Sequence, residues 1–173
     1  MKKFINLLVF LSCFVFASTA FGAGAFSVAS DMIYSSTSMD TTIRVVELTF
    51  LADAADGTIA DFTLNGSTTG IVHGPLVGWY GLMVDIDCNH GGTEPKEDSD
   101  LWIFQGDFDL LGGNGVDQVD NTVEREVLFN FASINVTRPV YDDLVVRLTQ
   151  ATTAVNSATG NIKILFLPRH SSI

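Results

Sequence analysis

Through most of the chain apolar and polar residues alternate singly, the period-two pattern of strands with one buried face, and no stretch keeps helical spacing. Val46, Leu48 and Phe50 fall on one face of a first strand, with Val45, Glu47 and Thr49 on the other. Phe62 and Leu64 mark a second, set between Asp56-Gly57 and Asn65-Gly66, dipeptides that favour tight turns. From Gly78 to Asp87 the alternation puts Leu82, Val84 and Ile86 inward, followed by Cys88, and Met83, Asp85 and Asp87 outward. Leu101, Trp102, Ile103 and Phe104 form a compact apolar strand in which Trp102 is expected to be buried. Val127, Phe129 and Phe131 alternate again, and Pro139 marks an edge or strand entry because proline cannot donate to a ladder.

The clearest strands come last. Leu144, Val146 and Leu148 alternate with Val145, Arg147 and Thr149, and Ile162, Ile164 and Phe166 with Lys163, Leu165 and Leu167. Seven or eight strands separated by turn signals predict an all-β chain, a two-sheet antiparallel β-sandwich of jelly-roll or immunoglobulin-like type.

The N-terminal region breaks the pattern. Lys2 and Lys3 precede an apolar run from Phe4 to Phe16, and small residues follow at Ala20, Gly22 and Ala25. Residues 1–25 therefore read as a cleavable signal peptide, and the chain as secreted, extracellular or displayed on a bacterial cell surface. The run is shorter than the roughly 20 apolar residues that span a bilayer, so no stable membrane insertion is expected after cleavage. Residues 26–40 form a Ser- and Thr-rich arm that pairs with its own sheet, frays, or adds a strand to a neighbouring subunit. The arm is expected to be dispensable for folding, and residues 41–173 to form a single sandwich domain.

Charge narrows the partners. The chain carries a formal charge of -11. Removal of Lys2 and Lys3 leaves seven basic residues against 20 acidic ones, or -13, which repels nucleic acid and anionic lipid and favours cations. Cys88 is the one cysteine outside the signal segment, so the sandwich has no internal disulfide, and a small buried apolar role fits it best.

Two stretches carry metal-binding patterns. Asp85, Asp87 and Asn89 begin like an EF-hand loop, but the sixth position is His90 and the twelfth Lys96, with Glu97 displaced by one. A calcium site drawing on Asp85, Asp87, Asn89 and Glu97, with Glu94, Asp98 or Asp100 nearby, competes with a solvated acidic face. Residues 112–120, Gly-Gly-Asn-Gly-Val-Asp-Gln-Val-Asp, match one copy of a nine-residue calcium repeat. A lone copy has no neighbouring turn to complete the coordination, so a glycine-permitted loop is expected. Trp79 and Tyr80, at a strand entrance, are the candidate ligand or interface aromatics. His73, His90 and His170 are dispersed, and neither a nucleophile elbow nor a zinc helix is present, so a non-enzymatic role is expected.

Residues 107–121, then 138–149 and 156–166, resemble small β-rich structural, virion-associated proteins of tailed bacteriophages. Those carry a D-x-L-G-G-type hairpin, a proline-led strand and a terminal hairpin of alternating aliphatic residues; the resemblance spans about residues 75–168 and is one of pattern. It implies a module that works by assembly and contact, with no cofactor. The export signal departs from that family, whose components assemble in the cytoplasm, and points to a bacterial surface protein using a similar module. The leading expectation is a secreted, self-associating structural or surface-assembly subunit joined by strand addition. The alternative is a calcium-dependent carbohydrate-binding module that contacts a surface glycan through Trp79 or Tyr80.

Overall fold

A computed structural model describes residues 24–36, 41–88, 93–119, 124–131, 134–135, 138–150 and 154–168. The proposed signal peptide lies outside them except for Gly24 and Ala25, as do Asn89, Asp120 and residues 37–40 of the arm.

The fold is the expected two-sheet antiparallel sandwich. Strands β1 (Ala25–Ser36), β2 (Thr41–Leu51), β4 (Trp79–Asp87), β10 (Arg138–Pro139) and β12 (Thr159–Pro168) form the larger sheet in the order β1-β2-β12-β4-β10, with β7 (Arg125–Leu128) also on β4. The smaller sheet runs β3-β11-β5-β6, from β3 (Phe62–Leu64), β11 (Leu144–Thr149), β5 (Asp100–Gln105) and β6 (Phe108–Asp109). A two-stranded hairpin joins β8 (Asn130–Phe131) to β9 (Ile134–Asn135). The excess over the expected strand number comes from pieces of two residues, too short to show alternation.

Between the sheets lies one core. Val46, Leu48, Val84, Ile162, Ile164 and Phe166 face Leu64, Leu101, Ile103, Leu144 and Val146 across it, and all are fully buried. Burying an aliphatic or aromatic side chain of this size contributes about 1.5–3 kcal/mol, so these strands are held by their inward faces far more than by intrinsic strand preference. Cys88 is buried beside Gly160, where a Cβ would come within 2.7 Å of its sulfur and of the Phe50 ring.

Two local irregularities shift side chains away from strict alternation. On β4 the register against β12 slips between Leu165 and Phe166, so Gly81 rather than Leu82 faces inward and Leu82 stays half-buried. The Phe129 ring occupies the space that a Cβ on Gly81 would need. On β1 the slip lies between Val28 and Ser30, where the extra residue Ala29 reverses the phase. Phe26 and Val28 face inward before the bulge, and Asp31 after it.

The arm is therefore part of the sandwich. Residues 26–36 pair with β2 along their whole length, Phe26 is buried against the rings of Phe50 and Phe62, and Asp31 is buried opposite Val46. Of the outcomes open to the arm, residues 26–36 show pairing with their own sheet: Phe26 belongs to the core and Val28 packs against it, while Met32, Ile33 and Tyr34 are exposed.

Candidate functional site

Arg44 shares the phase of Val46, Leu48 and Phe50 and points into the sandwich, where it is fully buried. Its Nε donates to Asp31 Oδ1 and its Nη2 to Asp31 Oδ2, both at 2.9 Å. Nη2 also donates to the Gly74 carbonyl at 2.7 Å, and Nη1 to the Pro75 carbonyl at 3.2 Å. Asp31 Oδ2 accepts the amides of Val72 and His73, each at 2.9 Å. Burial by itself raises the Asp31 carboxyl, but the bonds from Arg44 and from the His73 and Val72 amides outweigh it and hold it below its ordinary value of 3.8. This pair pins the 71–76 loop across the inner side of β1 and β2. Arg44 also lies 5.5 Å from the centroid of the Trp79 ring.

Trp79 is half-buried against the core, with the Arg44 guanidinium beside its ring. Tyr80 is half-buried on the outward side of β4, opposite Leu167 and Pro139. Trp102, expected inside, instead lies half-buried on the outer face of the smaller sheet, because Leu101 and Ile103 take the inward positions of β5. A four-residue apolar run gives no alternation from which its face could have been read.

Asp85 and Asp87 lie outward on β4, and Lys163 Nζ reaches Asp85 Oδ2 at 3.4 Å. Glu97 is exposed on the turn at 97–98, and Asp100 Oδ1 accepts the Asp117 amide at 2.9 Å. Glu124, which the sequence did not single out, is drawn to Asp85: hydrogen bonding to Asp85, then its charge and that of Asp87, raise the Glu124 carboxyl against the opposing effect of Lys163. Among the described residues no three acidic, His or Cys side chains gather as a metal-holding group.

Residues 112–119 form a turn-rich loop packed against the core. Asp109 caps the loop by accepting the Leu111 and Gly113 amides, while Leu111 and Val119 are buried. Gly115 lies so close to the Leu101 carbonyl that no Cβ fits, and its own carbonyl accepts the Leu101 amide at 2.9 Å.

The outer face of the larger sheet is divided into cross-strand rows. One is apolar across five strands, Met32, Val45, Leu165, Met83 and Leu128, and it begins on β1 at the sheet edge. The next inward-to-outward repeat is polar: Ser30, Glu47, Lys163, Asp85 and Glu126. Ser30 Oγ donates to Glu47 at 3.1 Å. Among the described residues β1 pairs only with β2, and Gly24 alone bridges to Ile59 beyond its start. Met32, Ile33 and Tyr34 are exposed along this edge. Edge strands in natural sheets are commonly guarded by lysine, proline, a bulge or a covering element; β1 carries neither lysine nor proline, and its bulge at Ala29 lies ahead of the exposed Met32–Tyr34 stretch.

No family model, curated protein or solved structure matches the chain.

Proposed function

We propose that this chain is an exported, non-enzymatic assembly subunit that joins its own copies through the edge of β1. The carrying observation is that the five-residue apolar row on the larger sheet runs out to Met32 on an edge strand of 12 residues whose outer side has no strand partner among those described. A strand from a second copy, added there, satisfies the backbone groups of β1 and extends the apolar row onto the neighbour. The pattern-level resemblance to phage structural modules and the signal-like residues 1–25 support a surface or extracellular setting.

Sedimentation velocity over a concentration series tests this reading. The mature chain is expected to form concentration-dependent oligomers, and Met32→Lys with Tyr34→Lys to shift them toward monomer at an unchanged melting temperature, since both side chains are exposed. A strictly monomeric native protein at its highest attainable concentration overturns it.

A further inference from the structure

The outer face of the smaller sheet carries a second, unrelated arrangement. Phe104 on β5 and Val145 on β11 are register partners and form an apolar floor. Arg147 leans over this floor, its guanidinium 5.1 Å from the Phe104 ring centroid. Asp61 holds it there through two bonds, from Nε at 2.8 Å and from Nη2 at 2.6 Å. On the other side the β5–β6 turn raises Gly106 and Asp107. Together these residues enclose a shallow cavity of about 350 Å³, within the range of small-ligand sites. Beyond the cavity lining, Trp102 follows along β5 with its ring stacked against that of Phe104, within 12° of parallel at 6.1 Å between centroids.

We infer that this cavity binds a neutral saccharide, a pyranose ring held against Val145 and the part of Phe104 that Arg147 leaves open, between Asp61 and Asp107, with the next ring of the chain reaching Trp102. Charge and geometry select that class. Two carboxylates stand around one guanidinium whose charge Asp61 already balances, which leaves the rim net negative and disfavours phosphate, sulfate or carboxylate ligands. A cation meets a different obstacle, because Arg147 already occupies the cation position over Phe104. An uncharged ring with an apolar face and a rim of hydroxyls suits both the floor and the walls. The carboxylates of Asp61 and Asp107 accept from hydroxyls, and Arg147 Nη1, which the ion pair with Asp61 does not use, donates to them.

The site lies on the opposite outer face from the β1 edge and uses none of its residues, so it stands or falls independently of the assembly reading. It also needs neither calcium nor Trp79. A printed array of neutral and charged glycans is the first measurement, followed by calorimetric titration with the best-bound neutral oligosaccharide. Trp102→Ala and Asp107→Ala are each expected to weaken binding about tenfold, the loss of one good stacking or hydrogen-bonding contact, at an unchanged melting temperature. Both residues lie outside the core, and Asp107, exposed on its turn, keeps the test valid if the Trp102 variant loses stability. Binding to neutral glycans that both substitutions weaken supports the site. No neutral glycan bound, binding confined to charged glycans, or binding indifferent to both substitutions overturns it.

Discussion

Asp31 and Arg44 form a fully buried ion pair in which each partner also holds the backbone of the 71–76 loop. The bulge at Ala29 makes this possible, since without it Asp31 would face solvent. Removing one partner leaves the other charged and buried. Asp31→Ala is expected to destabilise the fold by about 3–5 kcal/mol in denaturant titration. Replacing both, Asp31→Leu with Arg44→Met, is expected to recover much of that loss, because no charge is then stranded. The Val72 and His73 amides lose their acceptor in either case, and the Gly74 and Pro75 carbonyls also lose their donor in the double variant, so limited proteolysis should cut within 71–76 in the double variant and not in the native chain.

Acid should act through the same pair. The folded value of Asp31 lies below its ordinary 3.8, so the stabilisation is complete above that pH and is lost as the pH falls through the lower folded value. Thermal melts from pH 7 down to 2 are expected to show a fall in melting temperature below 3.8 that Asp31→Leu with Arg44→Met lacks. An equal acid sensitivity in that variant would assign the effect to other carboxylates.

The alternation of the sequence revealed most of this architecture. The inward sets on β2, β11 and β12 were legible because each is a strict period-two run ending in turn residues, and all of their members are buried as expected. What escaped was whatever depends on a change of phase. The inward turn of Asp31 follows one bulge, and the exchange of Gly81 for Leu82 follows another. Arg44 did carry a signal, its shared phase with Val46, but a charged residue there reads as a strand end until its partner is known. Trp102 and Phe104 lay within an unbroken apolar run, so their outward face, and with it the cavity beside Arg147, depended on the register with β11.

Because β1 contributes core as well as edge, its removal should differ sharply from blunting it. Deleting residues 26–36 exposes the inward faces of β2 and strands Arg44, and it is expected to abolish the cooperative thermal transition. The paired lysine substitutions at Met32 and Tyr34 should leave that transition in place. A deletion variant that melts like the native chain would show that β1 is not part of the folded unit.

Gly24 bears on where the proposed signal segment would end. It bridges to Ile59, its carbonyl accepts the Ala60 amide at 2.8 Å, and it is packed against Thr58 too closely for a side chain. Cleavage after Ala25 removes this contact, whereas cleavage after Ala20 or Gly22 preserves it. If the chain is exported as proposed, the intact mass of the processed protein is expected to place its first residue at Phe21 or Ala23. A mature chain beginning at Phe26 would mean that the Gly24 bridge is not needed.

Glu124 offers the sharpest reading of the acidic face. Asp85 Oδ1 is buried without a hydrogen-bond partner among the described residues, and the Glu124 carboxyl is raised from its ordinary 4.5, first by hydrogen bonding with the Asp85 carboxylate and then by its charge. A protonated Glu124 donates to the Asp85 carboxylate; an ionised one adds repulsion from Asp85 and Asp87. Since the folded value exceeds the unfolded one, the ionised side chain opposes folding at neutral pH, and the opposition is relieved as the pH falls through the folded value toward 4.5. Glu124→Gln places a permanent donor there and is expected to melt above the native chain at pH 7, with the difference closing on acidification. Calcium held among these carboxylates would reverse the comparison, stabilising the native chain more than the variant because binding favours the folded state. Melts of both proteins with and without calcium therefore separate an acidic surface, where the ion shifts the two alike, from a metal site, where it does not.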